Sequence, residues 1–223
     1  MNYNTPQYSQ FVADSSQDVR ATFIRKVYTL LFGSILTTVI AGYVASGFIQ
    51  TIIPLMPIIG IATFVCFLGL VFTKQIPVVN AALFFLFAVL QGAIIGPYLT
   101  ILEARLPGIP AEAAWLTLSV FGALTLFVFA SKKDFSFMGG FLTVAVICLL
   151  VAGIVMFFVH AAWLSMVYSV VGVLIFAGFV LYDTSQIMLR LQPGDEMTGA
   201  ISLYLDFLNL FMFILRLLSN RRD

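Results

Sequence analysis

Two aspartates, Asp183 and Asp206, stand in stretches of sequence otherwise built for lipid. A charge at the centre of a bilayer costs roughly 2.5 kcal/mol or more, so intramembrane carboxyls mark an ion pathway, a proton relay or a binding site. Asp183 lies seven residues before Arg190, the basic residue that ends one apolar segment. Asp206 lies about eight residues into the next segment. At 1.5 Å per residue, both carboxyls fall about 11 Å inside the same end of two antiparallel helices. Each belongs to a polar stripe. Ser202, Asp206 and Asn209 follow i, i+4, i+7 spacing, and Asp183, Gln186 and Arg190 follow i, i+3, i+7. Such stripes turn toward a protein interior or a water-filled cavity. Two carboxyls at close range in a low dielectric do not readily ionise together, so the pair is expected to share a proton near neutral pH. Losing that proton, or exchanging it for a cation, changes the separation of the two helices and makes a pH switch. Carboxylate oxygens also suit Ca2+, so Asp183 and Asp206 are read as a transient Ca2+ and proton site. The plainer use of each aspartate is as helix glue, bonded to a backbone or hydroxyl group. Lys74 ends an apolar segment at the same face. It is expected either to pair with Asp183 or to snorkel as a terminal anchor.

The elements that must carry these residues are membrane spans. The chain has 223 residues, of which 61% are hydrophobic and 9% charged, a balance no soluble domain shows. No charge occurs from Val27 to Thr73, from Gln75 to Leu102, from Ala113 to Ser131 or from Phe135 to Tyr182. A single crossing takes about 20 apolar residues, so the first and last of these runs each hold two passes. The expected architecture is an all-α polytopic membrane protein of seven spans. They run Val27 to Phe48, Leu55 to Thr73, Pro77 to Leu102, Ala113 to Ser131, Phe137 to Val159, Trp163 to Leu189 and Thr198 to Leu218. Gly47 with Pro54 and Pro57 is expected to make the first turn, and the region of His160 the turn between the fifth and sixth spans. Residues 1–26, rich in Asn, Gln, Ser and Tyr, are read as a mobile cytoplasmic tail, followed by one transmembrane domain over 27–223. With the N-terminus inside, Arg20, Arg25, Lys26, Lys74, Lys132, Lys133 and Arg190 are cytoplasmic, and Arg105 is outside. Seven full spans then leave Arg216, Arg221 and Arg222 outside, against the positive-inside rule.

Other chemistry is weakly represented. The net charge of +1 and the lack of a basic, aromatic-interleaved patch give no nucleic-acid partner. Cys66 and Cys148 read as small buried hydrophobes, and the one histidine, His160, has no second ligand near it, so no cofactor or zinc site is expected. P-loop, GxSxG and HExxH motifs are absent. Gly92 and Gly96 form a GxxxG ahead of Pro97, a close-packing signal with a kink. Gln91 and Tyr98 read as packing residues with polar tips. Four functions compete. A passive cation leak uses the aspartates directly. A proton-coupled secondary transporter would show inverted repeats and interrupted helices. An intramembrane aspartyl protease would carry GxGD where this chain has Leu203, Tyr204, Leu205 and Asp206, so no enzyme is expected. A non-transporting regulator of other membrane proteins leaves no mark to read.

The segment Ala200 to Arg222, AISLYLDFLNLFMFILRLLSNRR, resembles the C-terminal signature of the Bax inhibitor-1 family (transmembrane Bax-inhibitor-motif proteins) in its bacterial branch. LYDTSQI from Leu181 resembles the family's sixth-helix aspartate motif, and GPYL from Gly96 and KKDFSF from Lys132 also match. The resemblance implies a seven-helix fold with the last helix central and the other six around it. It implies a pH-sensitive calcium leak in the bacterial inner membrane, with lipid, Ca2+ and protons as partners. Asp183 and Asp206 would form the hydrogen-bonded sensor at the cytoplasmic end, supported by Ser202, Gln186 and Asn209. The family's second helix ends in an arginine that latches the first aspartate. Here Lys74 stands nearest, and an ammonium cannot offer a bidentate fork.

Overall fold

The computed structural model describes residues 11–159 and 161–222. Seven helices are long and apolar enough to cross a membrane: α1 Gln17–Ser46, α2 Ile49–Phe72, α3 Pro77–Arg105, α4 Ile109–Ser131, α5 Gly139–Phe158, α6 Ala162–Leu189 and α7 Glu196–Arg222. Short 3-10 turns at Val12–Asp14 and Ser136–Met138 precede α1 and α5. The described residues contain no strand, because in lipid each backbone N–H and C=O must be satisfied within its own segment.

Helix α7 is the axis. Half of its most apolar stretch is buried, against at most 33% in any other span. It packs on α1, α3, α4 and α6, while α2 rests on α3 and α5 on α6. The bundle therefore has two layers around α7. Tyr204, wholly buried, fixes the centre: its hydroxyl meets Thr38 Oγ1 of α1 at 2.6 Å, and its ring packs edge-on against Phe84 and Phe87 of α3.

The tightest seam joins α1 and α3. A Cβ on Gly96 would strike the backbone of Gly42, and one on Gly92 would meet Ala41 Cβ at 2.8 Å. The GxxxG spacing thus lets two backbones touch, which is how helices associate where lipid removes the hydrophobic drive. Pro97 does not break α3, which stays helical from Pro77 to Arg105.

Several boundaries differ from those expected. The first helix starts at Gln17 rather than Val27, so residues 11–26 are not a free tail. Val12 is fully buried, and its N–H donates to the carbonyl of Leu191 in the α6–α7 turn at 2.8 Å. Residues 1–10 of the expected tail, and His160, lie outside the described residues. The α1–α2 turn is made at Gly47 and Phe48 alone, and Pro54 and Pro57 lie inside α2. Each lies beyond the first turn and forfeits one intrahelical bond, yet α2 runs through both, so neither forces the turn where their identity suggested it. Cys66 is buried as expected, but Cys148 is exposed, because α5 is an outer helix.

The Gly42–Gly96 contact yields a test. Gly96→Ala forces the α1 and α3 backbones apart and is expected to cost about 1–3 kcal/mol. This would be read as a lower unfolding temperature of the purified protein in detergent. Gly122→Ala, where a Cβ meets open space, serves as the control and should be neutral.

Candidate ion and proton site between α6 and α7

Asp183 and Asp206 are brought together by the tight turn between their helices. Gly194, with φ of 110°, adopts a conformation open to glycine, and Asp195 closes the turn: its N–H donates to the Gln192 carbonyl at 3.0 Å, and its carboxylate accepts from the Gln192 N–H at 3.2 Å. The helices return side by side. The two carboxyls face each other within hydrogen-bonding reach. Asp206 is only 4% exposed, whereas Asp183 is partly buried and forms the more open side of the pair.

No basic side chain neutralises them. Among the described residues the ion pairs are Lys26 with Glu196 at 3.2 Å and Arg190 with Asp134 at 2.6 Å, and neither aspartate of the site takes part. Lys74 stands exposed at the end of α2, outside both pairs and away from Asp183. Arg190 shares a stripe with Asp183 in sequence but turns outward to the α4–α5 loop. Gln186 and Ser202 are partly buried beside the pair on α6 and α7. Asn209 donates to the Leu205 carbonyl of its own helix at 2.8 Å and lines a cavity toward the opposite end of the bundle. The structure thus brings Asp183 and Asp206 together, sets Gln186 and Ser202 on the same helix faces, and leaves Asn209 and Lys74 apart from the pair.

The structure adds residues that spacing did not single out. Four buried oxygens have no partner beyond one another and Asp183: Asp206 Oδ2 on α7, Thr184 Oγ1 on α6, Thr125 Oγ1 on α4 and Tyr28 Oη on α1. Tyr28 Oη lies within hydrogen-bonding reach of the hydroxyls of Thr184 and Thr125. Every one of these atoms is an oxygen, which suits water, a proton or a hard cation rather than a soft metal. No cluster of three or more His, Cys, Asp and Glu occurs among the described residues. Thr184 directly follows Asp183, and that adjacency was the sequence signal available. Tyr28 and Thr125 lay in uniformly apolar segments, with nothing to distinguish them from hydroxyls bonded to their own helix.

The loop after α4 is fastened to the same end. Phe135 N–H donates to Ser185 Oγ at 3.2 Å, and Arg190 Nη2 donates to Asp134 at 2.6 Å. The Arg190 guanidinium, together with the Ser136 N–H, holds the Asp134 carboxyl below its ordinary range. A depressed carboxyl contributes above its unfolded pKa and loses that contribution as pH falls through its folded value. Both partners are about half exposed, so solvent screens the pair and its worth is about 0–1 kcal/mol. Asp134→Asn should lower the unfolding temperature slightly at neutral pH and not at all well below pH of about 4, where the wild-type carboxyl is itself protonated. Thermal scans at the two pH values check this.

Residues 20–223 match a family model described as "Inhibitor of apoptosis-promoting Bax1". The chain is 36% identical over 215 residues to Bax inhibitor 1 of Schizosaccharomyces pombe, covering 93% of this chain and 80% of that protein. It is 30% identical over 218 residues to Protein lifeguard 4 of Mus musculus, covering 95% and 90%. An uncharacterized membrane protein of Vibrio cholerae is 31% identical over 222 residues, covering 97% of each chain.

Proposed function

The chain belongs to the Bax inhibitor family, and from that premise and the geometry of the pair we propose that it is a pH-sensitive leak for calcium across a bacterial inner membrane. The observation that carries this reading is the facing carboxyl pair with no basic counter-charge. Only a proton or a cation from solution can neutralise it, so the two compete for one place. When a proton is shared, the pair is bridged and α6 and α7 are held together. When it is lost, two carboxylates repel and attract a divalent cation. The buried hydroxyls of Tyr28, Thr125 and Thr184, partnered only with one another, support the reading, because a hydrated ion or a proton-carrying water needs such oxygens. Continuous helices from end to end, with none interrupted at mid-membrane among the described residues, favour a leak over a secondary transporter.

On this reading the N-terminus is cytoplasmic. The face bearing Arg20, Arg25, Lys26, Lys74, Lys132, Lys133 and Arg190 is the more basic, and basic loops stay inside. Cysteines introduced at Ser131 and Gly108, at opposite ends of α4, should be labelled from opposite sides of the membrane. Labelling from one side would remove this orientation.

The deciding experiment is calcium flux into liposomes that hold the purified protein, over about pH 5 to 8, the range in which a shared carboxyl proton exchanges. Wild type should show a pH-dependent leak. Asp206→Asn keeps a hydrogen bond to Asp183 but cannot form the dianion, so its profile should be flat, and Asp183→Asn should behave alike. Wild-type profiles for both variants would reduce the aspartates to helix glue. Lys74→Ala should keep most of the pH response, since an exposed ammonium contributes only about 0–1 kcal/mol. A leak made independent of pH by that change would identify Lys74 as a latch.

A further inference from the structure

Two arginines at the end of the bundle opposite the aspartate pair, Arg105 and Arg216, share a cavity. Between α3, α6 and α7, at the end of the bundle opposite the aspartate pair, lies an opening of about 680 Å³. Arg105, at the end of α3, and Arg216, near the end of α7, both line it, together with Tyr98, Tyr168, Ser165 and Asn220. Among the described residues no carboxylate lines it. Glu103, two residues before Arg105, turns to a different cavity and accepts the Gly108 N–H at 3.0 Å, and Glu112 on α4 is not among its walls.

Both guanidinium groups keep free donors. Arg105 makes no hydrogen bond or ion pair among the described residues. Arg216 is positioned without being neutralised. Its guanidinium carbon stands 5.0 Å from the centre of the Tyr168 ring, and its Nε donates to Ser165 Oγ at 3.4 Å, while its Nη nitrogens meet no partner among the described residues. Ser165 is itself held by Asn220 Nδ2 at 2.9 Å. The stacking ring and the Ser165–Asn220 link keep Arg216 aimed while its positive charge stays unpaired. Two like charges sharing one cavity repel, and an anion that meets both forks removes the repulsion and supplies charge-assisted hydrogen bonds.

We propose that this cavity binds a phosphate oxyanion, held between Arg105 and Arg216. A tetrahedral phosphate carries more acceptor oxygens than a planar carboxylate and can give a pair of them to each fork. The cavity lies where α3 and α7 end and α6 begins, at the level where spans leave the hydrocarbon, so the phosphate can come from a lipid headgroup or from solution. The assignment does not rest on calcium conduction.

The test uses the full chain. In detergent, inorganic phosphate is titrated against sodium chloride at matched ionic strength while the unfolding temperature is read. In parallel, the protein is placed in phosphatidylcholine vesicles with and without phosphatidic acid, and the same transition is followed. Phosphate, phosphatidic acid or both should raise the unfolding temperature in a saturable way. Arg105→Gln, an exposed change at a helix end that should leave the fold intact, should weaken the apparent affinity about tenfold or more, as loss of a bidentate charged contact does. Arg216→Gln should weaken it similarly. A response to inorganic phosphate alone assigns a soluble anion, and a response confined to phosphatidic acid assigns a headgroup. The proposal is overturned if neither probe exceeds the chloride control, or if Arg105→Gln responds as wild type does.

Discussion

Two carboxyls placed inside a membrane without a positive partner are the constraint to which the rest of the bundle answers. Moving even one charge from water into a low-dielectric interior costs several kcal/mol. The fold does not remove that cost with a lysine or arginine. It places Asp206 on the most buried helix, sets Asp183 against it from the neighbouring helix, and leaves the carboxyls to be neutralised from solution. The rest of the architecture then has to keep α6 and α7 in register. The Gln192–Asp195 turn does so locally, and the docking of Val12 on Leu191 does so from outside.

The same logic explains how the surrounding charges are used. Arg190 could have reached inward along the polar stripe of α6. It binds Asp134 instead, tying the α4–α5 loop to the end of α6 and keeping its charge away from the pair. Lys26 binds Glu196 at the start of α7. Each cation near that end is matched outside the membrane core or left exposed. The pair is thereby kept free of permanent countercharge among the described residues, which is the condition the proposed competition of proton and cation requires.

The centre of the bundle is rigid where the aspartate region is not fully bonded. Tyr204, two residues from Asp206, is fixed by Thr38 and by two phenylalanine rings, and the glycine seam of α1 and α3 admits no slack. Against that frame, the buried oxygens of Tyr28, Thr125, Thr184 and Asp206 have only one another and Asp183 as partners.

The amino-acid sequence by itself determined the class of the molecule, the number of spans and the identity of the aspartate pair. These follow from composition and from the 1.5 Å rise of a helix, which are local properties. Uninterrupted apolar runs can only cross a bilayer, and matched distances from a shared turn put Asp183 and Asp206 at one depth. The Gly92–Gly96 spacing likewise announced a close helix contact, though not that α1 would supply the partner at Gly42. What tertiary structure decided was direction. Whether Arg190 points to Asp183 or to Asp134, whether Lys74 reaches the site, and whether Tyr28 meets Thr125 and Thr184 all depend on how helices distant in sequence rotate and pack. Residues 11–16 looked like tail because their polarity is that of solvent. Their order comes from burying Val12 against the α6–α7 turn, a contact no local pattern encodes.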